Sequence, residues 1–392
     1  MKTNTGVLLG LMMFLEYFIW GSWYVTMGTY MGEKLESSGV QIGAAYSALA
    51  IATMISPFFV GMIADRFFAA QRIMGVLHLL GAALLLIATQ ITDNTIFYWV
   101  ILFYSMLYMP TIALSNSVAF HQMNDPGKQF PWIRVFGTLG WIAAGLLIGL
   151  LAIEKTADTF MIAATVSALL GFLSFGLPNT PPKGKSDASA IGTEAFVLFK
   201  NKPYLVFFIA AILICIPLSF YYGFANPFLN ELGVEKAAAK MTMGQASEAL
   251  FILAIPLLFN RIGVKNMLLL GMAAWILRYL CFAYGDTGSN MWMLYAGIIL
   301  HGICYDFFFV TGYMYTEMKA GEKIKNAAQG LFTFATYGLG MFIGTWVSGF
   351  VVENYVTGDT HNWLRIWFVP AYIAMAVLVY FLVFFRENKQ IK

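Results

Sequence analysis

The sequence predicts an all-α membrane protein whose twelve transmembrane helices fall into two bundles of six. Three observations carry that reading. The 392 residues are 60% hydrophobic and only 11% charged, with a mean hydropathy of +0.73, whereas soluble domains carry about 25% charged residues. The apolar residues gather in twelve runs, each near the length of about 20 residues that a hydrocarbon core of ~30 Å requires. The longest polar stretch, 179–202, follows the sixth run and divides the chain six and six. That is the pattern of two parallel repeats, each built from inverted three-helix units.

In order, the expected spans are 7–31, 41–63, 73–91, 96–121, 132–153, 159–178, 203–229, 241–259, 266–285, 290–316, 326–351 and 364–385. The first is too long for a secretory h-region and lacks a small-residue cleavage site, so it is read as a retained helix. Residues 1–178 form the first bundle, 179–202 a cytoplasmic linker containing Asn179-Thr-Pro-Pro-Lys-Gly-Lys, and 203–392 the second bundle. Cys215, Cys281 and Cys304 all fall inside spans, where cysteine packs as a small apolar residue. No disulfide framework, metal set or cofactor is implied.

Lys and Arg set the orientation. One set of loops holds Arg66, Arg72, Lys128, Lys183, Lys185, Lys200, Lys202, Arg261, Lys265, Lys319, Lys323 and Lys325, with Lys2, Arg386, Lys389 and Lys392 at the ends. The other holds Lys34, Lys155, Lys236, Lys240 and Arg365, mostly beside acids such as Glu33, Glu154 and Glu235. By the positive-inside rule the first set is cytoplasmic, and both termini with it.

Ionisable groups inside the bilayer cost about 2.5–3.5 kcal/mol on insertion scales, so each is a functional candidate. Span five places Arg134, Thr138 and Trp141 at i, i+4 and i+7, so a cation, a hydroxyl and an indole share one helical face. Span one does the same with Glu16, Trp20 and Trp23, a carboxylate beside two indoles; the competing reading is an interfacial aromatic belt. Span seven offers Ser219, Tyr222 and Asn226 between Pro217 and Pro227, breakers that let a helix bend. Span eight sets Gln245 and Glu248 one turn apart, able to read the donor and acceptor edges of a base or the hydroxyls of a sugar. Polar pairs also serve as interhelical glue. Span ten carries His301, Tyr305 and Asp306. His78 and His301 read as packing histidines. The acids Glu16, Glu248 and Asp306 face the arginines Arg134 and Arg278, which leaves one carboxylate to carry a proton. Gly145/Gly149 and Gly340/Gly344 are GxxxG pairs at equivalent places in the halves, expected to give close contacts between the bundles.

The loop Gly61-Met-Ile-Ala-Asp65-Arg66 through Arg72 resembles the signature of the major facilitator superfamily, with Phe68 and Ala69 where glycine and arginine are usual. Asp65 and Arg66 would then gate the cytoplasmic rim. The segments Trp20-Gly-Ser-Trp23, Met27-Gly-Thr-Tyr30, Ile133-Arg134-Val-Phe-Gly137-Thr138-Leu-Gly140, Ser247-Glu248-Ala-Leu-Phe, Ala274-Trp-Ile-Leu-Arg278 and Tyr305-Asp306-Phe307-Phe308 together resemble the nucleoside:proton symporter family. The resemblance implies proton-coupled nucleoside uptake, with Arg134, Thr138, Gln245, Glu248, Tyr305 and Asp306 at the family's binding and coupling positions. Two departures stand out: Ser219 and Tyr222 take the place of a glutamine and an asparagine, and Glu16 that of an amide.

The expectation is a symporter importing a nucleoside, or a related ring-plus-hydroxyl solute, across the cytoplasmic membrane, working as a monomer in the bilayer without nucleic acid. Trp20, Trp23, Trp141, Tyr222 and Tyr305 would enclose the ligand. Arg134, Thr138, Ser219, Gln245, Glu248 and Asp306 would bond it, and Glu16, Glu248 or Asp306 would carry the proton. The alternatives are a glycoside or drug carrier, including an exporter, and a membrane-embedded enzyme. Against the enzyme, the loops hold no catalytic or metal-ligand spacing.

Overall fold

A computed structural model describes residues 3–182, 193–358 and 360–386, with some side chains inside helices excepted. Its surface inverts the soluble pattern: Leu253 is 78% and Trp132 76% exposed, while Glu16, Arg278 and Asp306 are all 0% exposed. Lipid makes apolar exposure free of cost and leaves helix interiors as the refuge of polar groups. Among the described residues, eleven helical segments are long and apolar enough to cross a membrane. The twelfth expected span, 241–259, is helical too, as the first part of a helix that runs Ala237–Tyr284.

The chain divides into two compact units. Unit 1 comprises Met1–Ala190 and Glu235–Thr242. Its helices are α1 (Thr3–Trp23), α2 (Met27–Lys34), α3 (Gly39–Arg66), α4 (Ala70–Ala88), α5 (Asn94–His121), α6 (Pro126–Leu151) and α7 (Asp158–Phe175). α1 packs on α5, α6 and α7, while α4 lies against α5 and α7. The first expected span is thus two helices, α1 and α2, with a break between them. Tyr46 closes that break: its hydroxyl donates to the Tyr24 carbonyl at 2.6 Å and accepts from the Gly28 N–H at 3.2 Å. Backbone groups freed at bilayer depth need such partners. After α7, Thr180 and Asn179 are tied to Gln71 at the start of α4; residues 183–192 of the expected linker lie outside the described residues.

Unit 2 comprises Ile191–Val234 and Met243–Lys392. It holds a 3-10 helix (Thr193–Lys200), α8 (Lys202–Glu231), most of α9 (Ala237–Tyr284), α10 (Met291–Tyr305), α11 (Thr311–Thr333), α12 (Met341–Asn354) and α13 (Trp363–Phe384). Two breaks inside long helices fall on glycine, Gly263 at φ 75° and Gly321 at φ 63°. Only glycine takes that conformation without strain, so these residues turn the chain where spans eight and nine, and ten and eleven, are joined. π-helical turns at Asp306–Val310 and Phe334–Gly340 interrupt the helices on either side of α11, a device concentrated at functional sites.

Gly145 and Gly149 meet residues 239–242, which the sequence assigns to the second bundle and which fall in unit 1, whereas Gly340 and Gly344 make their contacts inside unit 2. A Cβ on Gly149 would lie 2.5 Å from the Ala239 nitrogen, and one on Gly145 would lie 2.6 Å from Thr242, both in unit 1. Glu154 also accepts from the Ala238 N–H at 2.9 Å, near the positive end of α9. In unit 2, Gly340 and Gly344 meet the backbone of α8 at Ile212 and Cys215.

Candidate functional site

In unit 1, three glycines bring α1 and α6 together and so set the site's geometry. Gly140 lies against the Phe14 carbonyl, and a Cβ on Gly21 would come within 3.1 Å of the Trp141 backbone. Gly137 leaves room for Arg134: a Cβ there would lie 2.7 Å from both the guanidinium and the Tyr17 ring. The guanidinium rests over Tyr17, 4.1 Å from its centroid, a cation–π contact that strengthens away from water. One and two turns on, Thr138 and Trp141 are half-buried, and Trp141 meets Trp20 edge-on at 5.3 Å. The cation, hydroxyl and paired indoles are therefore grouped, each with surface left to offer. Trp23 is not with them. It is fully buried, edge-on to Tyr104 and tilted on Phe160, so the core takes it instead of a ligand.

Below this group Glu16 is enclosed by α4, α5 and α7. The Thr111 hydroxyl lies 2.6 Å from Oε1 and 2.6 Å from the Tyr108 carbonyl, two acceptors for its one proton, and His78 Nε2 stands 3.0 Å from Oε2. Proton accounting fixes the other side of the ring. Ser167 has one hydroxyl proton and gives it to the His78 carbonyl at 2.9 Å. Its oxygen then accepts from His78 Nδ1, 3.2 Å away, so Nδ1 carries a hydrogen. One further proton lies between Nε2 and Oε2. Whichever atom holds it, the pair is uncharged overall, which is what burial at this depth favours.

Unit 2 gathers a second polar group. Gln245 is buried, and one turn later Glu248 is 26% exposed, its Oε2 3.9 Å from His301 Nε2. Arg278 is fully buried with its guanidinium 3.5 Å over Tyr221, and Nη1 donates to His301 Nδ1 at 2.9 Å. Asp306 opens a π-turn, enclosed, with neither oxygen hydrogen-bonded among the described residues. Tyr305, beside it, shares a hydrogen bond between hydroxyls with Tyr337. Tyr222 is half-buried, edge-on to His301 at 6.3 Å. Ser219 turns elsewhere: its hydroxyl donates to the Ile216 carbonyl at 2.7 Å and abuts Gly344 of α12. Packing uses Ser219, because the glycine opposite leaves room only for a small side chain.

The sequence matches the nucleoside H+ symporter family over residues 1–390. This chain belongs to that family. Among its relatives in Escherichia coli, YegT is 43% identical, covering 99% of this chain and 95% of YegT. The xanthosine permease is 37% identical, covering 97% and 96%. The crystal structure of the nucleoside transporter NupG superposes with a TM-score of 0.91 at 34% identity, covering 98% of this chain and all of that one. The fold is accordingly that of the major facilitator superfamily.

For a member of the nucleoside H+ symporter family, the acid–base pairing departs from the sequence expectation. Counting carboxylates against arginines overlooked the histidines: Glu16 is paired with His78, and Glu248 faces His301. Arg134 and Arg278 lie over aromatic rings. Thr111, Ser167 and Tyr337 were not singled out as site residues, and Arg278 was noted only as an intramembrane arginine; each lies far in sequence from the group it bonds, so no local pattern marked it. Asp65 and Arg66 lie at the end of α3, and their side chains fall outside those described.

Proposed function

We propose that this protein is a proton-coupled symporter that imports nucleosides across the cytoplasmic membrane by alternating access, as a monomer with both termini cytoplasmic. The observation that carries the reading is the family match along the whole chain, joined to two polar groups with surface left for a ligand. Unit 1 offers Arg134 and Thr138 as hydrogen-bonding groups and Trp20 and Trp141 as ring faces. Unit 2 offers Gln245 and Glu248, with Tyr222 and Tyr305 as aromatic walls. An amide next to a carboxylate suits a base edge or ribose hydroxyls, and an arginine suits the carbonyls of a base. Asp306 and Glu248 carry the coupling proton. An enclosed carboxyl without hydrogen-bond partners holds a proton at less cost than a charge, and Glu16 already shares its proton with His78.

Uptake of labelled uridine and adenosine into proteoliposomes, with and without an inward proton gradient, tests this. Accumulation above equilibrium only with the gradient is expected. Absence of gradient-driven accumulation of any nucleoside overturns it.

A further inference from the structure

His301 and Arg278 stand outside the ligand and coupling roles assigned above, yet both are buried in unit 2 beside Glu248. Every nitrogen-bound hydrogen of a guanidinium is a donor, and the group has no acceptor. With Arg278 Nη1 2.9 Å from His301 Nδ1, that ring nitrogen must present its lone pair. A neutral imidazole then keeps its one hydrogen on Nε2. Nε2 is the atom facing Glu248, 3.9 Å from Oε2, and Glu248 is the more exposed partner, 26% against 1% for His301. A second proton on the ring would set an N–H against the N–H of Arg278, so His301 is no proton carrier while that contact lasts.

The surroundings hold this arrangement rigid. The Tyr221 ring packs against both groups, 3.5 Å beneath the guanidinium carbon and stacked on the imidazole at 5.0 Å. Trp275 and Phe282 flank the cation at 5.4 and 5.7 Å. A Cβ on Gly244 would lie 3.2 Å from that of His301, so α9 and α10 meet there with no slack. Arg278 Nε and Nη2 find no acceptor among the described residues, so the charge is not spent on a carboxylate of its own.

We propose that Arg278 and His301 are positioning residues for Glu248: the guanidinium fixes the imidazole hydrogen on Nε2, and that N–H steers the Glu248 carboxylate toward the ligand. The inference rests on Glu248 being a ligand-facing acid, as proposed above. Two measurements test it, and the first needs no substrate. In protein labelled with 15N-histidine and reconstituted in lipid, solid-state NMR resolves the four histidines, and the His301 signals are those lost in His301→Gln. A bare Nδ1 with a protonated Nε2 is expected; a hydrogen on Nδ1, or a mixture of tautomers, overturns the proposal.

The second is uridine and adenosine binding by calorimetry. His301→Leu is expected to weaken it about fivefold, because the N–H it removes faces Glu248 across 3.9 Å, a longer approach than a direct hydrogen bond. His301→Gln can accept from Arg278 through its amide oxygen and donate to Glu248 through its nitrogen, so it should stay within about threefold of wild type. Equal loss in both variants, or in neither, overturns the positioning role. Should His301→Leu fail to fold, the wild-type tautomer still decides. If the wild type binds no nucleoside while the tautomer is as expected, the proposed substrate fails and the locked histidine stands.

Discussion

His78 in unit 1 and His301 in unit 2 are both buried imidazoles facing a carboxylate, and they hold their hydrogens in opposite ways. At His78 the far nitrogen donates to a serine, which leaves Nε2 to share a proton with Glu16 at 3.0 Å. At His301 the far nitrogen accepts from Arg278, and the hydrogen is fixed on the side of Glu248 at 3.9 Å. The residue on the far side of the ring, not the acid, decides what the histidine does. Ser167 can donate or accept and permits a closed neutral pair. Arg278 only donates and forces a fixed dipole aimed at an acid that retains surface.

If this contrast is right, removing one member of the closed pair does the most harm. Glu16→Leu strands an imidazole among Thr111, Tyr108 and Ser167, and breaking a buried pair in this way costs about 3–5 kcal/mol. A lower melting temperature in detergent is the readout. Glu16→Leu combined with His78→Leu should recover most of the loss, since apolar replacement of a whole pair is often neutral. A single variant as stable as wild type would refute the shared proton. Arg278→Met is expected to cost less, about 2 kcal/mol, for the contact over Tyr221 and the bond to His301; two of its nitrogens have no acceptor to lose. Ser167→Ala should cost about 1 kcal/mol, a buried N–H left without its acceptor, and should release His78 to a mixture of tautomers visible in the 15N spectrum.

The bundles were legible in the sequence because lipid imposes a length and a composition on every span, and composition survives without any knowledge of contacts. Arg134, Glu248 and Asp306 stood out as candidates for the same reason: a charge in an apolar run is conspicuous. The roles of the histidines were not. Whether His78 or His301 is packing or chemistry depends on Ser167 and Arg278, which are distant in sequence, and no local pattern reports which of them donates. Trp23 and Ser219 show the converse error. Each lies in register with a site residue on its helix, but Tyr104 and Phe160 enclose the first and Gly344 admits the second, so packing decides where periodicity alone pointed to the ligand.

The smallest effect sharpens the contrast most. Glu16→Gln keeps both bonds of the side chain: the amide oxygen accepts from Thr111, and its N–H donates to the bare Nε2 of the His78 tautomer that Ser167 selects. A hydrogen then sits permanently where the shared proton was, and stability should stay within about 1 kcal/mol of wild type. Because the coupling proton is assigned to the acids of unit 2, gradient-driven uridine uptake should persist in this variant. A melting temperature as low as that of Glu16→Leu would show that charge, not hydrogen bonding, holds the pair. Uridine binding retained with gradient dependence lost would move the coupling proton to Glu16, and His78 would then be the group that receives it.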